Sequence, residues 1–229
     1  MMNMKAWMVC GLMLLPSLSN AQSCCQGKKE VKTSCCEKTT APAAACCQMN
    51  NEVIQTIMSR RSIRKYQDKP VEHEKLALIA KCGINAPSAM NQQTWVVRVV
   101  ESPDFIKGTT EIFKKENPEQ VKRDANFKNM YRNAPNIIIV ACPKDDNYGI
   151  LNVGLMGENM MLAAQSLGLG TCCLGSAAMF LQRSEAYKPY IAQLNLPANY
   201  EICYILAVGY PDEAPAAKPR DESKIEFIK

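Results

Sequence analysis

A chain of 229 residues, 47% hydrophobic and with a formal net charge of +5, can bury one substantial core and is not a wholly disordered protein. The charge is spread along the chain with no basic stripe interleaved with aromatics, which argues against a nucleic-acid partner. The 12 cysteines are the unusual count.

At the N-terminus, Lys5 precedes an apolar run from Ala6 to Leu18 broken at Pro16, and Ser19-Asn20-Ala21 offers small residues where a signal peptidase cuts. Residues 1–21 read as a cleaved export signal, so the mature protein is expected in the periplasm or another extracytoplasmic compartment. About 13 apolar residues fall short of the roughly 20 that a spanning helix needs, so no stable membrane span is expected. Lipoprotein anchoring through Cys24 is the alternative, although Ala21-Gln22-Ser23 makes a poor lipidation box.

Residues 22–50 carry the doublets Cys24-Cys25, Cys35-Cys36 and Cys46-Cys47, repeated every 11 residues. Gly27, the Thr39-Thr40 pair, Pro42 and the lack of apolar periodicity make this stretch a flexible tail. Two uses remain open for it: an exported linker whose thiols are oxidised to disulfides, or a thiol-redox or soft-metal tail. Adjacent cysteines do not match the C-x-x-C spacing of usual zinc sites.

From Asn51 to Lys229 the pattern is that of a folded domain. Val53, Ile54, Ile57 and Met58 mark one face of a short helix, and a second helix is predicted over Val71–Asn85, stopped by Pro87. Thr94–Val100 reads as a strand, and Asp104–Asn117 and Pro118–Phe127 as polar helices. Asn136–Cys142 (NIIIVAC) is a continuous apolar run, as in a strand covered on both faces. Tyr148–Leu167 is a helix apolar nearly all round, which requires burial in a core or a subunit interface, and Gly168 ends it. Ile202–Gly209 is the last strand. This irregular alternation predicts an α+β domain with a mixed sheet. Gly168-x-Gly170 follows a helix instead of opening one, so it is no dinucleotide fingerprint.

In SRRSIRKY, Ser59 to Tyr66, four cations (Arg60, Arg61, Arg64, Lys65) crowd around the hydroxyl of Ser62. Alone, such a run reads as a solvated helix C-terminus. Together with APSAMNQQTW (86–95), SLGLGTCCLGS (166–176) and VGYPDEAPAAKPR (208–220), however, it resembles the nitroreductase family of FMN-dependent oxidoreductases over about residues 51–229. The resemblance implies a mainly antiparallel central sheet flanked by helices, in an intertwined homodimer with a shared flavin site.

It further implies that Arg60, Ser62 and Arg220 meet the FMN phosphate, with Arg61 and Lys218 close by. Arg64 would face the flavin ring near N1 and O2, where a cation stabilises reduced flavin. Pro87, Ser88, Ala89, Met90 and Asn91 would reach the flavin from the partner subunit, and Cys173, Leu174, Gly175 and Ser176 would pack their backbone against its N5 and O4 side. Thr94 stands where the family usually has proline, and Gly175 where some relatives carry an acid. Cys172-Cys173 reads as inert packing, Trp95 as core, and His73 as an exposed helix residue. No side chain is expected to be a nucleophile or obligatory acid.

The implied activity is ping-pong transfer from NADH or NADPH to a nitroaromatic, quinone or similar small acceptor, chosen by the loops around 104–133. An exported thiol-redox or soft-metal-binding protein acting through the doublets is the alternative from another class.

Overall fold

A computed structural model describes residues 51–229; the export-signal and cysteine-tail expectations for residues 1–50 lie outside the described residues. Helix α1 (Glu52–Ser59) starts where Asn51 Oδ1 accepts the N–H groups of Val53 and Ile54 at 2.9 and 3.3 Å, an N-cap that satisfies two donors otherwise left over. Helix α2 (His73–Ile84) is followed by a 3₁₀ turn (Ala89–Asn91) and strand β1 (Val96–Val100). Helix α3 (Pro103–Glu116) has Pro103 in its first turn and Ser102 as its cap, accepting the Phe105 N–H at 3.2 Å.

Helix α4 is shorter than expected, Pro118–Lys122. Asp124 explains the early stop: its carboxylate takes the Asn126 N–H at 3.0 Å and its carbonyl the Phe127 N–H at 3.0 Å, a local turn that competes with the helix. Strand β2 (Asn136–Pro143) is buried along its whole apolar run, as its sequence predicts.

Helix α5 (Gly149–Ser166) ends in a Schellman motif: the Leu169 N–H bonds the Ala164 carbonyl and the Gly168 N–H the Gln165 carbonyl, at 2.9 and 3.1 Å. Gly168 takes φ +73°, the left-handed conformation this motif requires. Two elements that the sequence reading did not assign follow, β3 (Gly170–Leu174) and α6 (Gly175–Arg183). A short helix α7 (Lys188–Gln193) leads to strand β4 (Tyr200–Gly209).

The four strands pair in the order β1-β2-β4-β3, every ladder antiparallel. The expected mixture reduces to one parallel bridge, Ser62 to Thr171. Helices cover both faces. On one, Ile138, Val140, Leu206 and Val208 pack with Leu76, Ile79, Met156 and Met160 of α2 and α5. On the other, Ile137, Ile139, Ile205 and Ala207 pack with Phe105, Phe113, Tyr131 and Leu181. A bulge between Val140 and Ala141 interrupts the β2–β4 register and leaves Cys203 as the extra residue.

Among the described residues, no helix is long and apolar enough to cross a membrane. Helix α5 meets the core on one side, through Val153, Met156 and Met160, while Ile150 and Leu151 on another side are 67% and 59% exposed.

Candidate functional site

The cation cluster is held in place by backbone pairing. The Ile63 N–H bonds the Thr171 carbonyl at 2.9 Å, the Asp212 N–H bonds the Lys65 carbonyl at 2.9 Å, and the Gln67 N–H bonds the Tyr210 carbonyl at 2.9 Å. Residues 62–67 therefore lie between β3 and the chain leaving β4. Tyr66 locks the segment from within: its buried hydroxyl donates to the Ile63 carbonyl at 2.6 Å. Gly170 makes the approach possible, since a Cβ there would stand 2.6 Å from Cγ1 of Ile63.

The four cations have different partners. Arg60 is half-buried and pairs with Glu158 of α5, Nε to Oε1 at 3.2 Å and Nη2 to Oε2 at 3.5 Å. Its Nη1 edge has no partner among the described residues. Arg61 turns back and donates to the Met58 and Arg60 carbonyls at 2.8 and 2.7 Å, capping α1. Arg64 is exposed, its Nη1 donating to the Ser62 carbonyl at 3.1 Å and its backbone N–H to Glu213 at 2.5 Å. Burial pushes the Cys172 thiol above its ordinary value, while the charges of Arg64 and Arg132 act in the opposite direction. Both guanidinium groups thus lie within electrostatic reach of β3.

The far end of β3 carries the second predicted group. Cys173, Gly175 and Ser176 are exposed and Leu174 is buried. The Cys172-Cys173 expectation is corrected for one member: a strand alternates its side chains, so Cys172 packs in the core at 4% exposure while Cys173 faces solvent. Helix α6 has no side-chain cap, and a Cβ on Gly175 would meet nothing within 4 Å.

The loop at Pro87–Asn91 is tied elsewhere, to the first half of α5, where the buried Asn152 accepts the Ala89 N–H at 3.1 Å. Met90, Asn91 and Gln93 all have φ near +50°, a conformation that costs energy for residues with a Cβ. Ser88 helps hold it, accepting the Gln93 N–H on Oγ at 3.0 Å. Lys218 and Arg220 lie on the exposed C-terminal segment, where, among the described residues, Arg220 donates hydrogen bonds to the Lys218 and Pro219 carbonyls alone. No contact among the described residues joins Arg220 to Arg60 or Ser62, so the expected convergence is not seen within one chain.

Trp95 is half-buried. His73 is exposed, with Nδ1 2.9 Å from Glu101, whose carboxylate raises its pKa. No group of three or more His, Cys, Asp or Glu among the described residues could hold a metal ion. Sequence reasoning missed Glu158, Glu213, Asn152 and Arg132, because nothing local marks a side chain whose partner lies tens of residues away.

Thr94 has its own role: its hydroxyl donates to Asp146, which also accepts the Tyr148 N–H at 2.9 Å. The Thr94 bond, then the Tyr148 bond, hold the Asp146 carboxyl below the usual carboxylate range. A depressed folded value means stability that is present above about pH 4 and lost as pH falls through the folded pKa. Thr94→Val is expected to move the Asp146 pKa up toward the ordinary value in an NMR titration and to soften the loss of stability in acid. An unchanged titration would show that the hydroxyl does not hold this carboxylate.

An antiparallel sheet between two helix layers, with a cation-bearing segment laid along its edge strand, is a nitroreductase-like α+β architecture. The nitroreductase family model matches residues 57–210, and the chain belongs to that family. It is 32% identical to a putative NADH dehydrogenase/NAD(P)H nitroreductase of Archaeoglobus fulgidus, over 71% of this chain and 87% of the relative. It is 29% identical to an NADPH-flavin oxidoreductase of Vibrio harveyi, over 74% of this chain and 70% of the relative. The crystal structure of a nitroreductase with bound FMN from Bacteroides fragilis superposes with a TM-score of 0.69 at 26% identity, covering 78% of this chain and all of that one.

Proposed function

We propose that this protein is an FMN-dependent oxidoreductase that passes electrons from NADH or NADPH to a nitroaromatic, quinone or similar small acceptor, by a ping-pong cycle. The observation that carries the reading is the donor set along β3. At one end, the free Nη1 edge of Arg60, the Ser62 hydroxyl and the exposed Arg64 offer donors suited to a phosphate and an anionic ring edge. At the other, about 13 Å along the strand, the first turn of α6 begins beside open space at Gly175. The residues present fit FMN.

Bound FMN supplies hydride acceptance and return at N5. The chain's part is binding and electrostatics. Arg60 and Ser62 would hold the phosphate, with Arg220 and Lys218 of the C-terminal segment as further candidates, and Arg61 supports Arg60 by capping α1. Arg64 would place positive charge beside the flavin ring, and the backbone from Cys173 to Ser176 would pack against it. The buried Cys172 keeps its proton at neutral pH, because burial raises its pKa. A cavity of about 130 Å³ beside Leu174 and Ser176, lined also by Phe113, Phe127, Arg132 and Phe180, is the place for acceptor selection. It draws on the 104–133 region that the sequence points to.

The site is completed in a homodimer, with Pro87, Ser88, Ala89, Met90 and Asn91 supplied by the partner subunit. Helix α1 supports this: none of its residues is buried, and Val53, Ile57 and Met58 are 64%, 50% and 71% exposed. Such an apolar face calls for a partner. Residues 1–21 support export, so the mature enzyme would be periplasmic or extracytoplasmic, and N-terminal sequencing of protein starting at Gln22 checks it.

The test is the visible spectrum of the purified protein with release of its chromophore. The expected result is about one FMN per subunit, bleached by NADH or NADPH. A colourless protein that takes up no added FMN overturns the reading.

A further inference from the structure

Strands β2 and β4 each carry one cysteine at the bulge, Cys142 and Cys203, with sulfur atoms 3.1 Å apart. This is closer than the roughly 3.5–4.0 Å of ordinary apolar packing. The bulge causes the encounter. Val140 pairs with Tyr204 and Ala141 with Ile202, so Cys203 is left as the extra residue. It packs with Tyr204 against the cluster on the α5 side of the sheet, the same cluster that contains Cys142. In an uninterrupted strand, neighbours 203 and 204 would face opposite sides.

We propose that Cys142 and Cys203 form a disulfide that fastens β2 to β4 at the bulge. Cys142 pairs directly with Glu201, so Cys203 lies diagonally across the bulge from it, and the two side chains span that offset to bring their sulfurs to 3.1 Å. The sulfurs must close by only about 1 Å to reach the bonded distance. Among the described residues no such geometry unites the other cysteines: Cys172 is buried on one face of β3, Cys173 is exposed on the other, and Cys82 lies on α2.

The oxidant is a disulfide of the glutathione class. The Cys203 thiolate, the more accessible of the two, attacks one of its sulfurs, forming a mixed disulfide and releasing one thiol. The Cys142 thiolate then attacks the Cys203 sulfur and expels the second thiol. One S–S bond breaks, one forms, and the two protons end on the released thiols. Burial first, then the contact with Cys142, pushes the Cys203 thiol up to about 12, and burial also raises Cys142. Exchange is therefore slow in the finished fold, and the bond forms while β2 and β4 are pairing. Export would place that step in an oxidising compartment, and the proposal does not depend on the flavin reading.

The experiment is a non-reducing peptide map of the full chain, refolded with oxidised and reduced glutathione and then alkylated. The expected result is a Cys142 peptide linked to a Cys203 peptide, together with a thermal midpoint about 5–10 °C above that of the Cys142→Ala/Cys203→Ala double variant under the same conditions. Measuring against the double variant excludes effects of the N-terminal doublets, which both proteins retain. Both thiols found alkylated, or Cys203 linked to another cysteine, overturns the proposal. A linked pair with no difference in midpoint refutes the fastening role.

Discussion

Arg60→Gln is expected to weaken FMN binding about 10- to 100-fold while leaving riboflavin, which lacks the phosphate, unaffected. The magnitude follows from losing charge-assisted hydrogen bonds worth about 1.5–3 kcal/mol. The ion pair with Glu158 offers a competing explanation, since the substitution breaks that as well. Glu158→Gln separates the two. The pair is 23% and 45% exposed on its two sides, and pairs so open to water contribute about 0–1 kcal/mol. If Arg60 holds phosphate, Glu158→Gln frees its guanidinium and leaves FMN binding unchanged or tighter. If Arg60 only braces α5, both variants behave alike and neither distinguishes FMN from riboflavin. Fluorescence titration of the two flavins reads all four combinations.

Gly170→Ala is expected to cost about 1–3 kcal/mol of stability, the usual range for overpacking. It should also loosen FMN binding, because of where the added methyl goes. It would stand 2.6 Å from Cγ1 and 2.8 Å from Cβ of Ile63, so a rotamer change of Ile63 cannot clear it and the backbone must move. That backbone carries Ser62 and Arg64 and is held to Thr171 by the 2.9 Å bond. Gly168→Ala is the control. It meets no atom within 4 Å but has φ +73°, so its cost of about 1 kcal/mol is conformational and local to the end of α5. Thermal unfolding should show both variants destabilised, by about 2–4 °C per kcal/mol at this size. Only Gly170→Ala should also raise the Kd for FMN. Equal Kd values would mean that the Ile63 contact does not position the cation segment.

Much of this architecture is legible along the chain wherever a local pattern reports directly on burial. The run NIIIVAC reads as a strand covered on both faces because its six consecutive apolar residues, 137–142, are too few for a typical buried helix and are rich in β-branched side chains. The end of α5 at Gly168 follows from the left-handed turn that glycine makes cheaply. The α+β class and the family motifs are readable in the same way. Strand β3 escapes such reading: five residues bounded by glycine show no decisive period, and it is a strand because β4 pairs with it. The opposed orientations of Cys172 and Cys173 escape for the same reason.

The site divides along this line. Composition and spacing alone determine that cations surround Ser62 and that Lys218 and Arg220 lie far along the chain. Only the tertiary structure decides that Arg60 meets Glu158, that Arg61 spends its donors on a helix end, and that a bulge carries Cys203 to Cys142. A residue's type and near neighbours set its propensity and its charge, which are local quantities. Its partner is set by how strands register and helices dock, and those depend on every element at once.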